Sequence, residues 1–143
     1  MPSIARTFFA ASLMSACLHA NAAPAAPPAT DNPLSVHILD LQSGQPTAGV
    51  RVTLEQRAGE GWRALAAGVT NAQGRIPALF PEERAIPAGD YRIVFETGEH
   101  YARLKQDTFF PRIPVEFHVG AAAQHYHVPL LLSPFGYSTY RGN

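Results

Sequence analysis

Leu34-Ser35-Val36-His37-Ile38-Leu39-Asp40 alternates apolar and polar side chains with a period of two, and the reading of this run decides the fold. Leu34, Val36 and Ile38 fall on one face, Ser35, His37 and Leu39 on the other. Successive side chains of a strand point to opposite sides, so the run predicts a strand with one buried face. The same pattern continues outward from it. Val50-Arg51-Val52-Thr53-Leu54-Glu55 alternates cleanly, and Trp62 to Val69 reads as a third strand. Tyr91, Ile93 and Phe95 alternate with Arg92 and Glu96, and Val115, Phe117 and Val119 with Glu116 and His118. Tyr126 to Leu132 is a more continuous apolar strand, and Gly136 to Arg141 a last one. Turn clusters at Gln42–Pro46, Thr70–Arg75 and Pro87–Asp90 separate these runs. The pattern predicts an all-β fold from Pro33 to Asn143: seven or eight short antiparallel strands in a two-sheet sandwich. Thr97 to Gln106 lacks alternation and allows one short helix, closed off by Pro111 and Pro114.

Composition narrows the function classes. The chain has 143 residues, 46% hydrophobic and 15% charged, with Lys+Arg 11 against Asp+Glu 11. That is one globular domain without the basic footprint of a nucleic-acid binder. The single cysteine, Cys17, excludes an intrachain disulfide framework and a Cys-based structural zinc site. No apolar run reaches the length needed to span a membrane as a helix.

Residues 1–22 read as a secretory signal peptide. Arg6 supplies a positive charge, Thr7 to Leu18 is mostly apolar and small, and Ala20-Asn21-Ala22 fits a small-x-small cleavage site. Export to the periplasm is the expectation. Met14-Ser15-Ala16-Cys17 offers an alternative, since it loosely matches a lipoprotein box with Cys17 as lipid anchor. Residues 23–32 are Ala/Pro-rich and read as an extended linker.

Three stretches carry a family resemblance: Leu34–Asp40, Thr70-Asn71-Ala72-Gln73-Gly74-Arg75, and His125 to Asn143, which includes His125-Tyr126-His127-Val128-Pro129-Leu130-Leu131-Leu132 and Tyr140-Arg141-Gly142-Asn143. Together they closely resemble the 5-hydroxyisourate hydrolases, the transthyretin-like proteins of purine catabolism. The family's closing tetrapeptide is Tyr-Arg-Gly-Ser, so Asn143 departs from it. The resemblance implies hydrolysis of 5-hydroxyisourate without a cofactor or metal, in a homotetramer whose sites lie in a channel between dimers. It also implies roles for individual residues. His37, by itself a solvent-facing strand histidine, becomes an active-site histidine. Arg75, by itself a loop charge, becomes a clamp on substrate carbonyls. His127 matches the catalytic histidine, with His125 either supporting it from behind or at the rim. Tyr140 and Arg141 become substrate-binding residues, on opposite faces if the last strand stays regular. Which histidine is the base stays open. Strand spacing also permits a metal site from His118, His125 and His127, but the resemblance implies none. Two other function classes compete: a transthyretin-type carrier of a small molecule, and a secreted interaction domain.

The export reading has a direct check. Intact mass of the protein recovered from the periplasm should correspond to a chain starting at Ala23. A diacylglycerol-modified chain starting at Cys17 would place the protein on a membrane surface instead.

Overall fold

A computed structural model of the chain describes residues 32–81, 85–121 and 124–143. The signal peptide and nearly all of the Ala/Pro linker lie outside the described residues. Among those described, the strands are β1 (Leu34–Asp40), β2 (Arg51–Ala58), β3 (Gly61–Val69), β4 (Arg75–Ile76), β5 (Gly89–Phe95), β6 (Ile113–Val119), β7 (Tyr126–Ser133) and β8 (Gly136–Thr139), with one helix, α1 (Thr97–Arg103), between β5 and β6. They form two four-stranded sheets, ordered β4-β1-β7-β8 and β3-β2-β5-β6. The sandwich and its short helix are those expected from the alternation.

The two sheets bury the apolar face of each strand against the other. Leu34, Val36 and Ile38 of β1 are fully buried, as are Val52 and Leu54 of β2, Tyr91, Ile93 and Phe95 of β5, and Leu130 of β7. Removing that much apolar area from water is the main favourable term in such a fold. Burial of the even-numbered β1 positions turns Ser35 and His37 to the outer face of the sheet.

Three features differ from the sequence expectation. First, β1 and β7 run parallel, over seven residue pairs from Leu34↔Tyr126 to Asp40↔Leu132. Alternation reports a buried face but not strand direction. Second, Arg75 belongs to a strand rather than a turn: β4 is two residues long and antiparallel to β1, with His37 opposite Arg75. A two-residue strand is too short to show a period. Third, β8 stops at Thr139, although its register with β7 is taken up again by a bridge between His127 and Gly142.

The loop before β4 is built from side chains suited to it. Asn71 Oδ1 accepts the backbone N–H groups of Gln73 and Arg75, both at 3.0 Å, an Asx-type turn. Thr70 Oγ1, buried, donates to the Thr47 carbonyl at 2.8 Å and accepts from Val50 N at 3.0 Å. Gly74 has φ +68, and its carbonyl accepts from Ile38 N at 2.8 Å. A Cβ at residue 74 would lie 2.5 Å from the Ile38 carbonyl oxygen and 2.9 Å from Thr47 N. Both neighbours are backbone, which cannot swing aside.

Gly74→Ala should therefore destabilise the protein by about 1–3 kcal/mol, the usual cost of a strained backbone position. Urea unfolding should show a lower midpoint at unchanged m-value.

Candidate active site

The β1–β7 ladder sets Ser35 directly beside His127, and the β1–β4 ladder sets His37 beside Arg75. Neighbouring residues in register point to the same side of a sheet. Ser35, His37, Arg75 and His127 thus share the outer face of one sheet, although β1 and β7 lie some 90 residues apart in sequence. The structure brings together the three residues expected to carry chemistry. Among the described residues, the Arg75 guanidinium meets no carboxylate and stays available.

Both imidazoles are held below their ordinary pKa of 6.5. For His37 the first cause is burial, then the positive charge of Arg75, with a backbone hydrogen bond at Gln73 working the other way. For His127 the causes are burial, then Arg75, His37 and His125, opposed by a backbone hydrogen bond at Ser35. A lowered pKa leaves each ring neutral at neutral pH, with a lone pair free to accept a proton. His37 Nε2 is buried and has no hydrogen-bond partner among the described residues. An orphaned polar atom in such a place is costly, and a bound small molecule can satisfy it.

His125 and His127 both meet the Ser35 hydroxyl: His125 Nε2 at 2.9 Å and His127 Nδ1 at 2.9 Å. His125 Nδ1 in turn lies 2.8 Å from the Asn32 carbonyl oxygen. Sequence reading gave Ser35 no role, because a serine on the polar face of a strand looks like ordinary surface. Its signal was present, since Ser35 and His37 are same-face neighbours two residues apart.

The tail beyond β8 divides between two sides. Continuing the β7–β8 register puts Tyr140 opposite Pro129, on the histidine side, where it is 56% exposed, and Arg141 opposite Val128 on the other side. Arg141 donates to Gln124 Oε1 at 2.6 Å, and its guanidinium lies 5.5 Å from the centre of the Tyr126 ring. These contacts border a cleft of about 340 Å³ whose walls include Phe117, Tyr126, His127, Tyr140 and Arg141. Gly142 closes on His127 from the side: its N–H donates to the His127 carbonyl at 2.8 Å, and a Cβ there would lie 2.4 Å from His127 Cδ2. His118 belongs to the other sheet, where its Nδ1 is 2.7 Å from Asp90 Oδ1, so the three-histidine grouping that strand spacing permits is not formed.

The chain matches the family model for Transthyretin, described as the HIUase/Transthyretin family, over residues 34–142. It is 58% identical over 123 residues to the 5-hydroxyisourate hydrolase of Salmonella typhimurium, covering 85% of this chain and 90% of that one. A probable 5-hydroxyisourate hydrolase of Caenorhabditis elegans is 37% identical over 92% of this chain and 93% of its own. Among solved structures, Klebsiella pneumoniae 5-hydroxyisourate hydrolase superposes with a TM-score of 0.67 at 45% identity, over 77% of this chain and 98% of that one. Sparus aurata transthyretin superposes with a TM-score of 0.71 at 37% identity, over 77% and 96%.

Arg75→Gln should raise the titration midpoints of both His37 and His127 toward 6.5, because it removes a positive charge that opposes protonation. Imidazole resonances followed by NMR against pH measure this. His100, whose pKa is lowered by burial and by Arg103 rather than by Arg75, should keep its midpoint.

Proposed function

The chain belongs to the HIUase/Transthyretin family, and from that premise we propose that it hydrolyses 5-hydroxyisourate to 2-oxo-4-hydroxy-4-carboxy-5-ureidoimidazoline, a step of urate breakdown. The observation that carries the reading is the outer-face cluster: the imidazoles of His37 and His127, both held below their ordinary pKa, beside the guanidinium of Arg75, which meets no carboxylate among the described residues. The 58% identity to a 5-hydroxyisourate hydrolase favours catalysis over simple carriage of a ligand.

The chemistry follows from these groups. One imidazole, His127 or His37, takes a proton from water as the water oxygen adds to the ring carbonyl carbon. Arg75 pairs with the substrate's carbonyl oxygens and stabilises the negative charge developing on one of them. The carbon–nitrogen bond of the ring then breaks, and the imidazolium returns its proton to the departing nitrogen. Tyr140 offers a flat surface to the bicyclic substrate, and Arg141 approaches from the adjoining cleft. Holding water, base and carbonyl in one geometry supplies a large share of the acceleration for a substrate that is already reactive.

A homotetramer and export to the periplasm belong to the same reading. On the outer face Ser35, His37 and His127 are half-buried and Arg75 is exposed, and a second copy laid against that face would enclose the cluster as a channel. Among the described residues the sheet edges at β8 and β6 carry no partner strand, and an unpaired edge favours pairing with a further copy. Phe109, Phe135 and Tyr137 stand exposed near β8, with Phe109 N bonded to the Pro134 carbonyl. The signal-like residues 1–22 support export.

The test is the ultraviolet decay of freshly made 5-hydroxyisourate with and without the protein, because the compound also decays unaided. The protein should accelerate the decay. His127→Ala and His37→Ala should lower kcat/KM by up to about 10²–10⁴, the larger loss marking the base. The acid limb of the pH profile should have its midpoint below 6.5, since protonation disarms the base and both pKa values are lowered. Saturable binding with no acceleration would leave a carrier as the function.

A further inference from the structure

Hydrogen-bond directions around His127 can be worked out from one end. The Asn32 backbone carbonyl can only accept, so His125 Nδ1, 2.8 Å away, is the donor. In a neutral His125 the remaining nitrogen, Nε2, then carries the lone pair. The Ser35 hydroxyl, 2.9 Å from that nitrogen, donates its single proton to it. With that proton committed, Ser35 Oγ can only accept from His127 Nδ1 at 2.9 Å. The one proton of a neutral His127 ring therefore sits on Nδ1, and Nε2 is left bare.

We infer that Ser35 and His125 are positioning residues that hold His127 in its Nδ1–H tautomer, so that Nε2 is the nitrogen that takes the proton from water. This rests on the proposed hydrolase function and assigns the base within it. The chain of contacts, Asn32 carbonyl to His125 to Ser35 to His127, gives each neutral group one consistent donor or acceptor role. A general base usually needs a third group to orient it. Here the orienting groups are a hydroxyl and a second imidazole tied to backbone, not a carboxylate. A carboxylate would raise the basicity of the ring and favour its charged form. The neutral arrangement orients the ring without that effect. It also matches the charges that face His127, which are Arg75, His37 and His125 when protonated, all of which oppose protonation of the ring. When Nε2 takes up a proton during the reaction, the Nδ1–H bond to Ser35 becomes charge-assisted and strengthens as charge develops. His37 is held differently: a backbone hydrogen bond at Gln73 acts on its ring, and its buried Nε2 has no partner among the described residues.

The experiment reads the tautomer and the rate separately, on the full-length mature protein. Nitrogen-15 NMR of the His127 ring at neutral pH should show Nδ1 protonated. Ser35→Ala should shift the ring toward the Nε2–H tautomer and lower kcat by about tenfold to a hundredfold, the scale known for groups that orient metal-bound histidines. KM should change little. Ser35→Thr, which keeps the hydroxyl, should restore both readouts. His125→Phe should free the Ser35 proton to donate to His127 Nδ1, which shifts the ring toward the Nε2–H tautomer and again lowers kcat. His125 is exposed, so this variant tests the relay even if Ser35→Ala fails to fold. An Nε2–H ring in the wild-type protein would overturn the inference. So would an unchanged tautomer and kcat in His125→Phe. Absence of turnover in the wild type would overturn the proposed function instead, while the tautomer measurement would still decide the relay.

Discussion

Everything at the candidate site depends on one register: the parallel pairing of β1 with β7. Ser35 meets His127 because Leu34 pairs with Tyr126 and Val36 with Val128. The buried residues enforce this. Leu34, Val36 and Ile38 must face the other sheet, and so must Val128 and Leu130. A slip of one residue in either strand would turn a histidine into the core and an aliphatic chain out to water, so the hydrophobic pattern holds the polar face in place. The core is thus the device that positions the site. The short β4 extends the same logic, since its pairing with β1 brings a guanidinium beside an imidazole from the other edge of β1.

The electrostatics follow from that placement. An arginine and three histidines on one patch of sheet, with no carboxylate among the groups that perturb the two central rings, make protonation of either ring unfavourable. Positive surroundings that keep bases neutral are also those that welcome a developing oxyanion. One arrangement of charge therefore serves both halves of a hydrolytic step.

How much of this was legible in the sequence varies with the signal each feature leaves. Period-two alternation revealed the sandwich and the outward aim of His37, because burial of one strand face writes itself into the residues. It could not reveal that β1 and β7 run parallel, since either direction leaves the same pattern. Arg75 read as part of a turn because two residues carry no period, and only its pairing with His37 makes it a strand residue. Family resemblance supplied the pairing of His37 with His127 across the chain, which no local pattern can report. Ser35 went unnoticed because its importance lies in what it touches. The split of Tyr140 and Arg141 onto opposite sides followed from strand geometry alone, and the bridge at Gly142 shows why it holds: the tail keeps the β8 register past the strand's last residue.

That bridge ties the side chain allowed at position 142 to the one at position 127. With its Cβ position occupied by the His127 ring, residue 142 is steric property of the histidine fifteen places upstream in the chain. Neighbours on either side are free of this constraint: Tyr140, Arg141 and Asn143 are all exposed. The tail should therefore drift unevenly over time, permissive at its last residue, where asparagine stands here, and closed at the glycine before it. A lineage that abandoned the histidine would release the glycine as well, so loss of the smaller residue would record the earlier loss of the chemistry.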